Sequence, residues 1–327
     1  MKRREFITLL GSAAAAWPLA VRAQAPSNRP LIAILNLNSA SSVSPRLRGF
    51  LQAMRDAGYV EGRDFDIAER YADGQVERLP VLADELSRLK PSLFVTGSMP
   101  AAFAAKKASE TLAIVCVSLV DPVGSGLAAS EARPGGLVTG TLISIEGLTG
   151  KQLAFATEVI PSATRIGLLV DPRNQGHAFL RREAETAAAS LALSLVPVEA
   201  SSPTDLDRAF QALARERVHL VMVLSDPVFN RENRRIAVLA AAMRLPTMHP
   251  LREYVEAGGL MSYGVSLGAN WRRAAYFVDR ILKGGRPGDL PIELPTRLEL
   301  IINLSTAKAI GVTIPEQVLL RADEVIK

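Results

Sequence analysis

Short apolar runs, rich in β-branched residues, alternate along this chain with stretches whose apolar positions recur every three or four residues. Leu31–Leu37, Phe65–Tyr71, Pro91–Val95, Ala113–Val120 and Val138–Ile143 read as strands. Between them the spacing predicts helices. Pro45–Ala57 places Leu47, Phe50, Leu51 and Met54 on one face and stops at Gly58, and Val76–Leu89 and the Ala-rich Met99–Glu110 follow. The strands are apolar almost throughout rather than at alternate positions, which calls for a parallel sheet covered by helices on both faces. After residue 143 the pattern restarts. Gly147–Val159 would be the first helix after the crossing. Strands at Ile166–Val170, Ser194–Val198, Leu220–Leu224, Pro246–Met248 and Leu260–Tyr263 then alternate with helices at Ala178–Leu191, Ser202–Arg215 and Asn230–Met243. The halves, about 30–143 and 144–262, thus repeat one α/β architecture of two Rossmann-like lobes. Ala269–Lys283 and Leu298–Lys327 add helices and a strand, and Glu293–Arg297 reads as a connecting segment. The expected partition is 30–143 plus 264–290 for one lobe and 144–263 plus 291–327 for the other.

Residues 1–25 follow a different plan. Lys2, Arg3 and Arg4 make a basic start, Phe6–Ala16 is a short apolar run, and Ala23-Gln24-Ala25 is a small-residue end. This is the layout of an export signal cleaved near Ala23 or Ala25, with an apolar run too short to span a bilayer. Arg3-Arg4-Glu5-Phe6-Ile7 also resembles the twin-arginine signal, so the mature chain is expected in the periplasm. The formal net charge is +5, but this leader holds Lys2, Arg3, Arg4 and Arg22 against Glu5, leaving +2 for the remainder. The basic balance is therefore no evidence for nucleic-acid binding. Arg181-Arg182, Arg234-Arg235 and Arg272-Arg273 lie in helical patterns and read as solvated faces. The single cysteine, Cys116, falls inside a strand, so no internal disulfide forms and no thiol near the cleavage region carries a lipid.

Three strands run into Asp-Pro: Asp121-Pro122, Asp171-Pro172 and Asp226-Pro227. Ligands of open α/β sheets bind outside the carboxyl ends of the strands. The candidate ligand-binding residues there are Asn38 and Ser39, Thr96, Gly97 and Ser98, Asp121, Asp171 and Asn174, Asp226, and Tyr263. Hydroxyls and helix N-termini suit a carboxylate, and Asp suits an ammonium. Together they describe a site for a small zwitterion or polar metabolite. Each Asp equally suits a helix cap before Pro, and Tyr263 is as well placed for hinge packing. His177, His219 and His249 show no metal-ligand spacing, and no nucleophile elbow is present, so neither metal, cofactor nor catalytic residue is expected. Gly124-Ser125-Gly126 mimics a dinucleotide fingerprint, but Asp121-Pro122 separates it from the strand and Pro134-Gly135-Gly136 cuts short the following helix.

Several stretches carry a resemblance: Ala57-Gly58-Tyr59-Val60-Glu61-Gly62, Asp121-Pro122-Val123-Gly124, Arg133-Pro134-Gly135-Gly136, Glu256–Gly264, Ile281-Leu282-Lys283-Gly284, Ile302–Lys308 and Arg321–Ile326. In combination the chain resembles the ABC transporter substrate-binding proteins that include tryptophan- and tyrosine-binding members, with the type I periplasmic-binding fold. Leu137 departs from the pattern, where the family commonly has Asn. The resemblance implies two lobes joined by three crossing segments and closing on a small ligand, usually an amino acid or related metabolite. The implied partner is an inner-membrane ABC permease coupled to an ATPase, with the mature protein acting as a monomer and binding no nucleic acid. An exported α/β enzyme or a ligand sensor on the same scaffold is the alternative.

Overall fold

The computed structural model describes residues 29–174, 176–295 and 298–327; the leader 1–25 lies outside them. The first half runs β1 (Leu31–Asn36), α1 (Ala40–Asp56), β2 (Asp66–Tyr71), α2 (Leu79–Arg88), β3 (Leu93–Thr96), α3 (Met99–Ala108), β4 (Ala113–Leu119) and β5 (Val138–Leu142). These strands form a five-stranded sheet in the order β2-β1-β3-β4-β5, parallel throughout. The second half runs α4 (Leu148–Val159), β6 (Arg165–Val170), α5 (Gly176–Ser190), β7 (Ser194–Glu199), α6 (Pro203–Arg215), β8 (Leu220–Val223), α7 (Pro227–Arg231), α8 (Asn233–Ala242), β9 (Thr247–His249), α9 (Arg252–Glu256) and β10 (Met261–Gly264). The chain then returns to the first sheet as α10 (Leu267–Leu282). It ends in the second with β11 (Glu299–Asn303), α11 (Leu304–Ile310), α12 (Glu316–Leu319) and β12 (Glu324–Ile326). It therefore passes between the lobes three times: after β5, after β10 and before β11.

Burial on both faces is why the central strands read as unbroken apolar runs, whereas the edge strands β2 and β7 carry charged residues and are only part-buried. In β1, Ile32 and Ile34 pack with Phe50 of α1 and with Trp271 and Phe277 of α10. Ala33 and Leu35 face the other way, toward Leu82 and Leu86 of α2 and Ala101 and Ala105 of α3. Each such large side chain withdrawn from water is worth about 1.5–3 kcal/mol. Polar ties fix α10 to the first sheet despite its distance in sequence. Asn270 Nδ2 of α10 donates to the carbonyls of Val117 (3.0 Å) and Leu142 (3.1 Å), and beyond the helix the Leu290 carbonyl accepts from Thr139 Oγ1 of β5 (2.8 Å).

Four expectations need correction. The second sheet, ordered β12-β11-β10-β9-β8-β6-β7, is not wholly parallel, because β11 runs antiparallel to β10. The reason lies in the third crossing: the chain re-enters this lobe at the end where β10 left it, so the next strand must run back. The C-terminal region supplies two strands, not one. Helix α1 begins at Ala40 rather than Pro45, which sits inside it; the Ser44 hydroxyl donates to the Ala40 carbonyl at 2.7 Å within that serine-rich first stretch. The helix expected at 230–243 is two helices broken at Glu232, and α9 was not foreseen because five residues carry too little periodicity to register.

Candidate functional site

A cleft lies between the lobes at the carboxyl ends of β1, β3 and β4 on one side and the loops after β6 and β8 on the other. From the first lobe it is lined by Asn36, Asn38, Arg46, Gly97, Ser98, Ser118 and Trp271. From the second it is lined by Asn174, Ser225, Asp226, Asn230 and Leu251. Of the ten residues expected from sequence, Asn38, Gly97, Ser98, Asn174 and Asp226 meet here.

The first wall is built around Asn36, the last residue of β1. Its Oδ1 accepts from the Asn38 amide at 3.0 Å. Its Nδ2 occupies the space where a Cβ on Gly97 would stand, 2.0 Å away, so residue 97 must be glycine for this amide to fit. Ser98 caps α3, its Oγ accepting from the Ala101 amide at 3.4 Å, and the positive end of that helix dipole points into the cleft. The Asn38 Oδ1 is buried without a partner among the described residues, an acceptor left for a ligand or a water.

Asp226 anchors the opposite wall. Pro227 opens α7, and Asp226 Oδ1 accepts from the amides of Val228 (2.7 Å) and Phe229 (3.3 Å), the cap that the sequence favours. Its second oxygen accepts from Asn174 Nδ2 at 2.8 Å. Asn174 is held in turn by its Oδ1, which accepts from the Gly176 amide at 3.0 Å. His177 lies behind. Its Nδ1 accepts from the Asp171 amide at 2.8 Å, so Nε2 carries the proton, donates to the Ser225 carbonyl at 3.0 Å and sits 3.9 Å from Asp226 Oδ2. Burial pushes the Asp226 carboxyl above the usual carboxylate range, with nearby Asp171 adding to the rise and His177, Asn174 and the Val228 amide opposing it. A cap and a cleft-facing carboxylate coexist in this one residue.

The other expected residues sit elsewhere. Asp171 is buried beneath the turn, where it accepts from the Arg173 amide (2.9 Å) and the Ser201 hydroxyl (2.8 Å) and pairs with the Arg173 guanidinium (3.0 Å). Asp121 takes a left-handed conformation (φ 44°) and its Oδ1 accepts from the Gly124 amide at 2.8 Å. It faces Phe179 and Arg182 across a side groove rather than Asp171 and Asp226. No helix follows Gly124–Gly126, so the dinucleotide-like glycines are turn residues. Thr96 is wholly buried at the end of β3, and Ser39 occupies the N-cap position of α1, its hydroxyl among Ser41 and Ser42. Tyr263 packs on Phe155 with ring centroids 4.8 Å apart, and its carbonyl accepts from Gln152 Nε2 at 2.7 Å. Among the described residues no cluster could hold a metal ion, and no helix is long and apolar enough to cross a membrane.

Arg46, Ser118, Asn230 and Trp271 line the cleft but were not picked out from sequence. Two of them left a trace. Arg46 interrupts an apolar face, spaced three from Val43 and four from Phe50, and Ser118 is the one hydroxyl in the otherwise apolar β4. Trp271 and Asn230 left none, because the fold alone carries α10 back to the first lobe and folds α7 over the cleft.

The family model for "ABC transporter substrate binding protein" matches residues 31–326. A tyrosine-binding protein of Clostridioides difficile (strain R20291) is 25% identical over 281 residues, covering 85% of this chain and 80% of the relative. Among solved structures, a conserved domain protein from Vibrio cholerae O1 biovar El Tor superposes with a TM-score of 0.85 at 26% identity, over 90% of this chain and 99% of that one. A protein from Streptococcus pneumonia solved in complex with L-Trp also gives 0.85, at 22% identity, over 91% and 100%. The architecture is the type I periplasmic-binding fold.

Proposed function

Because the chain belongs to the ABC transporter substrate-binding protein family, whose members bind substrates rather than transform them, we propose that it is the exported, periplasmic component of an importer. In this reading it captures an amino acid or a related zwitterion and presents it to an inner-membrane ABC permease. The lobes are 30–143 plus 264–290 and 144–263 plus 291–327, and the protein works as a monomer. The Arg3-Arg4 leader directs export.

One juxtaposition carries the ligand class. A buried carboxylate, Asp226, stands on one wall, and the N-terminus of α3 with Ser98 stands on the other. Asp226 Oδ2 accepts a single hydrogen bond from Asn174, which leaves room for an ammonium. The helix end opposite favours a carboxylate. A zwitterion satisfies both at once. The cleft is narrow, about 40 Å³, and part-open to solvent, so a solute of this class enters with the lobes apart and is held as they close. The tyrosine-binding relative and the L-Trp complex support an amino acid as the solute.

The test is a melting screen of the mature protein against amino acids, nucleosides and small carboxylic acids. A true ligand at about 100 times its Kd adds roughly 2.7 kcal/mol of stability. Stabilisation by amino acids but not by their desamino or esterified analogues is the expected result. Equal stabilisation by the analogues refutes the zwitterion reading.

A further inference from the structure

The lobes are joined across the cleft by two arginines that reach in opposite directions. Arg46, on α1 of the first lobe, donates from Nη2 to Oε1 of Glu253, on α9 of the second lobe, at 2.9 Å. Arg231, in the last turn of α7 of the second lobe, donates to the carbonyl of Asp73 in the first lobe, just beyond β2. The first contact is built into its surroundings, while the second lies at the surface. The Arg46 and Glu253 side chains are only 13% and 23% exposed, so their attraction is less screened than that of the surface ion pairs. The backbone beneath Arg231 is Gly74 at φ 81°, and a Cβ there would lie 2.1 Å from the guanidinium.

The elements that carry these groups are rigid. Val43, Leu47 and Phe50 of α1 are buried against α10, so Arg46 moves only with its lobe. Tyr254 and Val255 of α9 are fully buried, and Asn233 Nδ2 donates to the Glu253 carbonyl, fixing α9 to α8. A bond between two such groups reports the relative position of the lobes. It forms only when the lobes are together and breaks when they part. Opening also leaves Glu253, whose second oxygen is already buried without a partner among the described residues, without its cation.

We propose that Arg46–Glu253 and Arg231–Asp73 form a two-point latch that sets how much of the unliganded protein is closed. The latch works whatever solute the cleft takes, so its test needs no ligand and its failure is separate from failure of the amino-acid reading. Differential stability of the closed state is what such contacts can supply.

The experiment places spin labels at Val81→Cys on α2 and Val238→Cys on α8, both 61% exposed and on opposite lobes. Cys116 is wholly buried and stays unlabelled. Electron–electron distances in the ligand-free protein are compared between the doubly labelled parent and the same protein carrying Glu253→Gln, Arg46→Gln or Arg231→Gln. Each variant should lower the closed-to-open ratio about threefold or more. The Arg46→Gln/Glu253→Gln double variant should be no more open than the worse single, because both remove one bond. If Arg46→Gln fails to fold, Glu253→Gln carries that point of the latch alone. Distance distributions that match the parent in Glu253→Gln and Arg231→Gln overturn the proposal, as does a parent with no closed population.

Discussion

Replacing Asp226 by Asn separates its two roles. The amide keeps an oxygen for the amides of Val228 (2.7 Å) and Phe229 (3.3 Å), and Asn is itself a good N-cap. The second position now presents NH2 to the Nδ2 of Asn174, which donated to it at 2.8 Å, so one buried hydrogen bond is lost, at about 1 kcal/mol. Removing a carboxylate that burial already disfavours offsets this, and the net stability change should stay within about 1 kcal/mol. Ligand affinity has no such offset. A hydrogen bond to a charged group is worth about 1.5–3 kcal/mol, so an ammonium ligand should bind about ten- to a hundredfold more weakly. The pH dependence should change too. The folded carboxyl titrates above its unfolded value near 4, so its contribution to unliganded stability is present below about 4 and is lost as pH rises through the raised value. A ligand ammonium instead favours the ionised form. Affinity in the parent should therefore climb with pH through that window and level off above it, while Asp226→Asn stays flat. The groups around this carboxyl are His177 from α5, Asp171 at the end of β6, Asn174 and Arg173 in the turn that follows, and Tyr254 of α9. Calorimetric titration across that pH range, with urea unfolding of the free proteins, reads both quantities. Affinity unchanged within twofold by Asp226→Asn would refute the ligand role and leave only the cap.

Gly97→Ala should push the Asn36 amide out of the cleft wall, because the new Cβ would stand 2.0 Å from its Nδ2; the expected loss of about 1–3 kcal/mol is measured by urea unfolding, with weakened ligand binding alongside. Burial pushes the Cys116 thiol up to about 11, so the native protein should resist iodoacetamide at pH 8 and react once unfolded; rapid native labelling would contradict the burial. Changing Arg3-Arg4 to Lys-Lys should leave uncleaved precursor in the cytoplasm, whereas the parent's mature N-terminus should fall near Gln24 or Pro26 in a periplasmic extract.

Local chemistry made much of this molecule legible before folding. The unbroken apolar strands called for parallel sheets buried on both faces, and β1 to β10 fall where the apolar runs predicted them. The Asp226-Pro227 pair announced a capped helix after a strand, since both preferences act over three residues of chain. What sequence could not do was tell three chemically equal Asp-Pro turns apart. Asp171 is spent on Arg173 and Ser201, and Asp121 on its own turn in a side groove, while Asp226 alone meets the cleft. That choice depends on which strand ends the sheet order places beside the opposite lobe. The same holds for the reversal of β11, for Trp271 on a helix that returns from another lobe, and for Arg46 meeting Glu253, 207 residues away. Sequence set the elements and the kinds of groups at their ends, because propensity and capping are short-range. The tertiary structure alone chose which of those groups share one cleft, because that is fixed by crossings and packing between residues far apart in the chain.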